Sequence, residues 1–240
     1  MDVDFEQKNA IGGLDRLVTN IAMAAIAVFP TLGAGLATPW RLVPLLTSDE
    51  PDGHRGMLLS PGAFLPLGLT VVLLVAALFT SSETEASNQA VIGPTLALSV
   101  ANAAGEGDIW RTVSLIAPIY ASAVAIALFA QVLRPLIGTW WSLRTSIRAA
   151  FYQVGITICW NLLTSVIIAT YRVQSGAFDF GTLLYSLNSI PILAITPWLY
   201  FWFFKSVDSV GTFKAIGLAL AMGVLSVGLL TGTIWMVGQV

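Results

Sequence analysis

Residues 62 to 80 read almost without interruption as an apolar run, with Leu-Thr-Val-Val-Leu-Leu-Val-Ala-Ala-Leu-Phe at its centre. A helix needs about 20 such residues to cross a hydrocarbon layer about 30 Å thick. Comparable runs follow at 113–137, 149–170, 183–204 and 215–240. Of 240 residues, 56% are hydrophobic and only 10% charged, whereas an ordinary soluble domain carries about 25% charge. The alternation of a membrane β-barrel is absent. The expected fold is therefore all-α, a polytopic transmembrane helical bundle with five spans, or six if an earlier segment also crosses.

That earlier segment is Leu17 to Pro39, apolar but interrupted by Asn20, Pro30, Gly33 and Gly35. Proline removes a backbone bond and glycine weakens a helix, so the segment reads as a span or as a broken interfacial or re-entrant piece. It belongs to an N-terminal region, residues 1–60, ahead of a transmembrane helical domain over 61–240. The acid-rich start, Met-Asp-Val-Asp-Phe-Glu-Gln-Lys, lacks the pattern of a cleaved signal peptide.

Orientation comes from the basic residues. Arg134 to Arg148 reads as a short basic loop with Trp140 and Trp141 suited to the headgroup layer, and such loops stay on the cytoplasmic side. If Leu17 to Pro39 crosses, the side of that loop holds Arg41, Arg55, Arg134, Arg144, Arg148, Lys205 and Lys214 of the 11 basic residues. If it does not, Lys8 and Arg16 join them and only Arg111 and Arg172 lie outside. The second distribution is the more asymmetric, which favours five spans with the N-terminus cytoplasmic and the C-terminus on the outer side.

Reactive groups are sparse. Every charged residue falls in an expected loop or helix end, which argues against proton-coupled transport. His54 is the only histidine and Cys159 the only cysteine. Asp49, Glu50, Asp52 and His54 sit together in a turn-rich loop, where acidic clusters are usually solvated, and they match no metal motif. No phosphate loop, serine elbow or His-Glu-x-x-His pattern occurs. An enzyme is not expected, nor is any cofactor, metal or nucleic-acid partner.

Two helix faces stand out. Gln153, Thr157, Asn161 and Thr164 share one face of the 149–170 run, and a polar stripe should look toward other helices because an exposed amide in hydrocarbon is costly. Interhelical hydrogen bonding is the plain reading; a hydrated pathway is the sharper one. Gly217, Ala221, Gly228 and Gly232 share a face of the last run, a small-residue pattern that lets two backbones approach, within the bundle or between copies. Pro191 and Pro197 should kink the run between them, with Asn188 and Ser189 near enough to serve the freed carbonyls.

Thr38-Pro39-Trp40-Arg41, then a polar loop, then Leu59-Ser60-Pro61-Gly62-Ala63-Phe64 resembles the start of bacterial Yip-family membrane proteins. Arg144 to Gly155, Arg-Thr-Ser-Ile-Arg-Ala-Ala-Phe-Tyr-Gln-Val-Gly, is also similar to that group. The resemblance covers about residues 38 to 240. It implies a five-helix domain with a cytoplasmic N-terminus, related to eukaryotic proteins that act in vesicle traffic and bind small GTPases; the Asp-Leu-Tyr-Gly-Pro motif of that branch is missing here. The expected function is a non-enzymatic interaction or membrane-organising component, with lipid, other membrane proteins or a second copy as partners. The alternative is a small permease or channel subunit.

Overall fold

The computed structural model of the chain describes residues 22–47, 58–79, 109–138, 141–175, 193–206 and 210–237. Among them the fold is all-helical. Helix α1 is Ala22–Ala37, followed by a 3-10 turn over Pro39–Arg41 and the short α2, Val43–Thr47. Helix α3 is Pro61–Phe79, α4 is Ile109–Val132, α5 is Arg134–Ile137 and α6 is Leu143–Ser175. Residues 193–205 form α7, and α8 is Thr212–Val237.

Local chemistry explains most of the boundaries. Proline suits the first position of a helix, where its missing N–H is no loss, and α3 begins at Pro61 while the Ser60 carbonyl accepts the N–H groups of Ala63 and Phe64. The expected span 113–137 breaks at Leu133, because Pro135 in the next turn has no N–H for the carbonyl one turn back. Gly138 then ends α5 at φ 133°, a conformation that glycine adopts without steric cost.

The basic stretch 134–148 is not a simple loop. The Thr145 N–H donates to Ser142 Oγ at 3.1 Å, capping α6, so that Arg144 and Arg148 already lie on the helix. At its other end α6 continues to Ser175, through half of what reads as a polar link at 171–181. Its 33 residues correspond to about 50 Å at about 1.5 Å per residue. The region after Trp40 is likewise more ordered than its turn-rich composition implies, since α2 occupies Val43–Thr47.

Pro30, Gly33 and Gly35 do not end α1, which stops only at Pro39. Its 16 described residues span about 24 Å at about 1.5 Å per residue. Proline at 197 lies within the helical run of α7; Pro191, Asn188 and Ser189 are outside the described residues.

Helix α6 is the axis of the packing, in contact with α2, α3 and α4, while α8 lies against α4. Its pairing with α3 is parallel. A Cβ on Gly155 would stand 2.9 Å from Phe64, and one on Gly68 would meet Cys159 Sγ at 3.0 Å, so these two glycines let the helices close up. Tyr152 donates to the Leu59 carbonyl at 2.6 Å below them. Its pairing with α7 is antiparallel, with Trp141 beside Phe204 at 5.2 Å and Gln153 bonded to Thr196 further along.

These directions gather the charges. Arg41, Arg134, Arg144, Arg148, Lys205 and Lys214 all belong to one end of the bundle, whereas Arg111 and Arg172 lie in helical turns at the other. No acidic residue occurs among the described residues. The segment 22–47 is anchored near the basic end twice over. Thr31 Oγ1 accepts the Leu59 N–H at 2.9 Å, and Arg148 Nη1 reaches the Leu45 and Leu46 carbonyls at 3.4 and 3.2 Å. Between these anchors Gly35 lies against Ile156 and the Leu36 carbonyl accepts from Trp198 Nε1 at 3.1 Å, deeper in the bundle.

Candidate functional site

The polar face of α6 is built into the interior. Gln153 is fully buried and its Nε2 donates to Thr196 Oγ1 at 3.1 Å, tying α6 to α7. One turn on, Thr157 is buried as well, and Thr164 turns its hydroxyl back to the Trp160 carbonyl at 2.8 Å. The backbone of Asn161 belongs to the same helix; its side chain lies outside the described residues. Thr196 was no part of the stripe visible in sequence, because the pairing of two helices is not written in the period of either.

Several buried polar atoms of the interior have no hydrogen-bond partner among the described residues, among them Gln153 Oε1, Thr157 Oγ1, Tyr200 Oη and Ser226 Oγ. They come from α6, α7 and α8, one helix each beyond the pair on α6. An unpaired buried donor or acceptor costs about 1–3 kcal/mol. The interior therefore carries spare hydrogen-bonding capacity, which is the kind of lining a small polar solute would need.

On the small-residue face of α8, a Cβ at Gly217 or Gly228 would meet nothing within 4 Å among the described residues, and Ala221 is exposed. The side chain environment of position 232 is outside the described residues. The close approach is made instead by Gly223, where a Cβ would come within 2.6 Å of Pro197 Cγ. Spacing shows which residues share a face, not which face has a neighbour.

A second feature was hidden in the sequence. Leu36 of α1, Trp198 and Phe201 of α7, and Ile216 and Leu220 of α8 line an apolar groove of about 670 Å³. Trp198 also stacks edge-on against Trp202 at 5.7 Å, and Trp202 lies 4.9 Å from Trp40, so an aromatic cluster runs from the groove toward the basic end. Arg148 was legible as an orienting charge, but not as a clamp on the α2 carbonyls.

Metal chemistry finds no framework here: among the described residues no three His, Cys, Asp or Glu side chains converge. Asp49, Glu50, Asp52 and His54 lie outside the described residues. One stretch among the described residues, Thr212–Leu229, is long and apolar enough to cross a membrane, and only 33% of it is buried; Ala22–Ala37, Pro61–Val71 and Ile116–Val132 are shorter apolar helices. Comparison with protein families, with characterised proteins and with solved structures finds no match to this chain.

Proposed function

We propose that this chain is a multi-pass integral membrane protein of Yip-like, five-span type, acting as a non-enzymatic interaction or organising component of a bacterial inner membrane. The observation that carries the membrane reading is where the large apolar side chains sit. Beside those that fill the core, others on the long helices face outward, with Phe213 92%, Val224 77% and Val132 71% exposed, while Gln153, Thr157, Thr196 and Ser226 are buried. A surface of that kind is untenable in water and natural against lipid tails.

The distribution of charge supports the orientation. Six basic residues at one end against two at the other, Arg111 and Arg172, is the asymmetry expected of a cytoplasmic and an outer face. The double anchoring of 22–47 near the basic end favours a re-entrant course for that segment over a crossing. Alkaline carbonate extraction tests the reading. The full-length chain is expected to stay with the membrane pellet, and its release into the supernatant would refute membrane integration.

A second reading, a small permease or channel subunit, draws on the unpartnered Gln153 Oε1, Thr157 Oγ1, Tyr200 Oη and Ser226 Oγ. Cysteine introduced at position 161, in a chain whose Cys159 is replaced by alanine, would react with a water-soluble thiol reagent if that interior is hydrated. Protection throughout would remove the permease reading.

A further inference from the structure

We propose that the groove between α7 and α8 holds an acyl chain of an anionic phospholipid, with Lys205 at the basic end facing its phosphate. The proposal rests on the membrane reading and adds a specific lipid to it.

The groove is apolar almost throughout, and its lining is open to the surroundings: Leu193, Trp198, Ile216 and Leu220 all rank among the exposed large hydrophobics. Its volume of about 670 Å³ falls within the roughly 300–1,000 Å³ of small-molecule sites. The contact of Gly223 with Pro197 fixes the spacing of α7 and α8, so the walls are set by helices and not by loops.

What selects the occupant is the change of chemistry along the groove. Lys205 lies one turn beyond Phe201 on the same face of α7, whereas Lys214, two residues before Ile216, points to the other side of α8. Lys205 is exposed, and Arg41 is exposed beside Trp40, which packs on Trp202. Asp208, in the link between the two helices, lies outside the described residues. An apolar slot that ends among cations and indoles fits an amphiphile with an anionic head at the cytoplasmic interface; basic pockets between membrane helices on that side bind phosphate headgroups. A zwitterionic lipid would fill the slot but gain less from Lys205.

The test uses the full-length protein in nanodiscs containing equal amounts of phosphatidylglycerol and phosphatidylcholine, with retained lipid weighed by native mass spectrometry. The wild type is expected to retain phosphatidylglycerol preferentially. K205Q should lower that preference roughly fivefold. L220W, which fills the slot, should lose both lipids, and millimolar glycerol 3-phosphate should displace neither.

Equal retention of the two lipids by the wild type, an undiminished preference in the lysine variant, displacement by glycerol 3-phosphate, or a lipid-free dimer would each overturn the proposal. Carbonate extraction of the same membranes separates the two failures. Release of the protein would sink the membrane reading itself, whereas retention without lipid preference sinks the groove alone.

Discussion

Single atoms decide how closely these helices can pack. Gly35 faces Ile156 so tightly that a Cβ would stand 2.2 Å from its Cδ1 and 2.9 Å from its Cγ1. G35A should therefore cost about 1–3 kcal/mol, the usual range for overpacking, and I156A in the same chain should restore most of it. G217A, with open space around it, should be neutral or gain up to about 1 kcal/mol in helix propensity. Thermal unfolding of the three variants in detergent distinguishes them; equal losses for G35A and G217A would show that the α1–α6 contact is misplaced. The bond from Gln153 to Thr196 makes a second expectation. A double-mutant cycle with Q153L and T196V should give a coupling of about 0.6 kcal/mol, typical of such bonds between membrane helices, and a coupling of zero would place the two side chains apart.

At the scale of elements, legibility followed the source of each element's stability. Helix α3 could be read from residues 61–80 because proline and an unbroken apolar run mark it directly. The start of α6 could not, since Leu143 to Arg148 is polar and basic, and a hydropathy pattern does not register a helical turn secured by the Ser142 cap. The stripe of Gln153 and Thr157 was evident from its period, whereas its partner Thr196 depends on the antiparallel contact of α6 with α7. The close approach of Gly223 to Pro197 was hidden for the same reason, because Gly223 lies outside the small-residue stripe.

The segment 22–47 offers a prediction at this scale. Arg148 holds its C-terminal end, and Thr31, midway along α1, is tied to Leu59 near the basic face. With Cys159 replaced by alanine, cysteines at positions 22 and 47 should both be labelled by an impermeant thiol reagent from the cytoplasmic side, as seen in inverted vesicles. Labelling of position 22 only in intact cells would mean that α1 crosses, giving six spans.

For the whole molecule, the account depends on one feature: large apolar side chains face outward on α4 and α8 as well as filling the core. A reporter fused at residue 10 should give a cytoplasmic signal, and one fused after Val240 a periplasmic signal; a periplasmic signal at residue 10 would reverse or lengthen the topology. That outward apolar surface is read most directly by nitroxide spin labels at Val224, Val124 and Leu128, all exposed on α8 and α4, in the reconstituted full-length protein without Cys159. Collision with oxygen, which concentrates in hydrocarbon, should exceed collision with a water-soluble nickel chelate at all three positions. A chelate that reaches all three as readily as oxygen would contradict the membrane account.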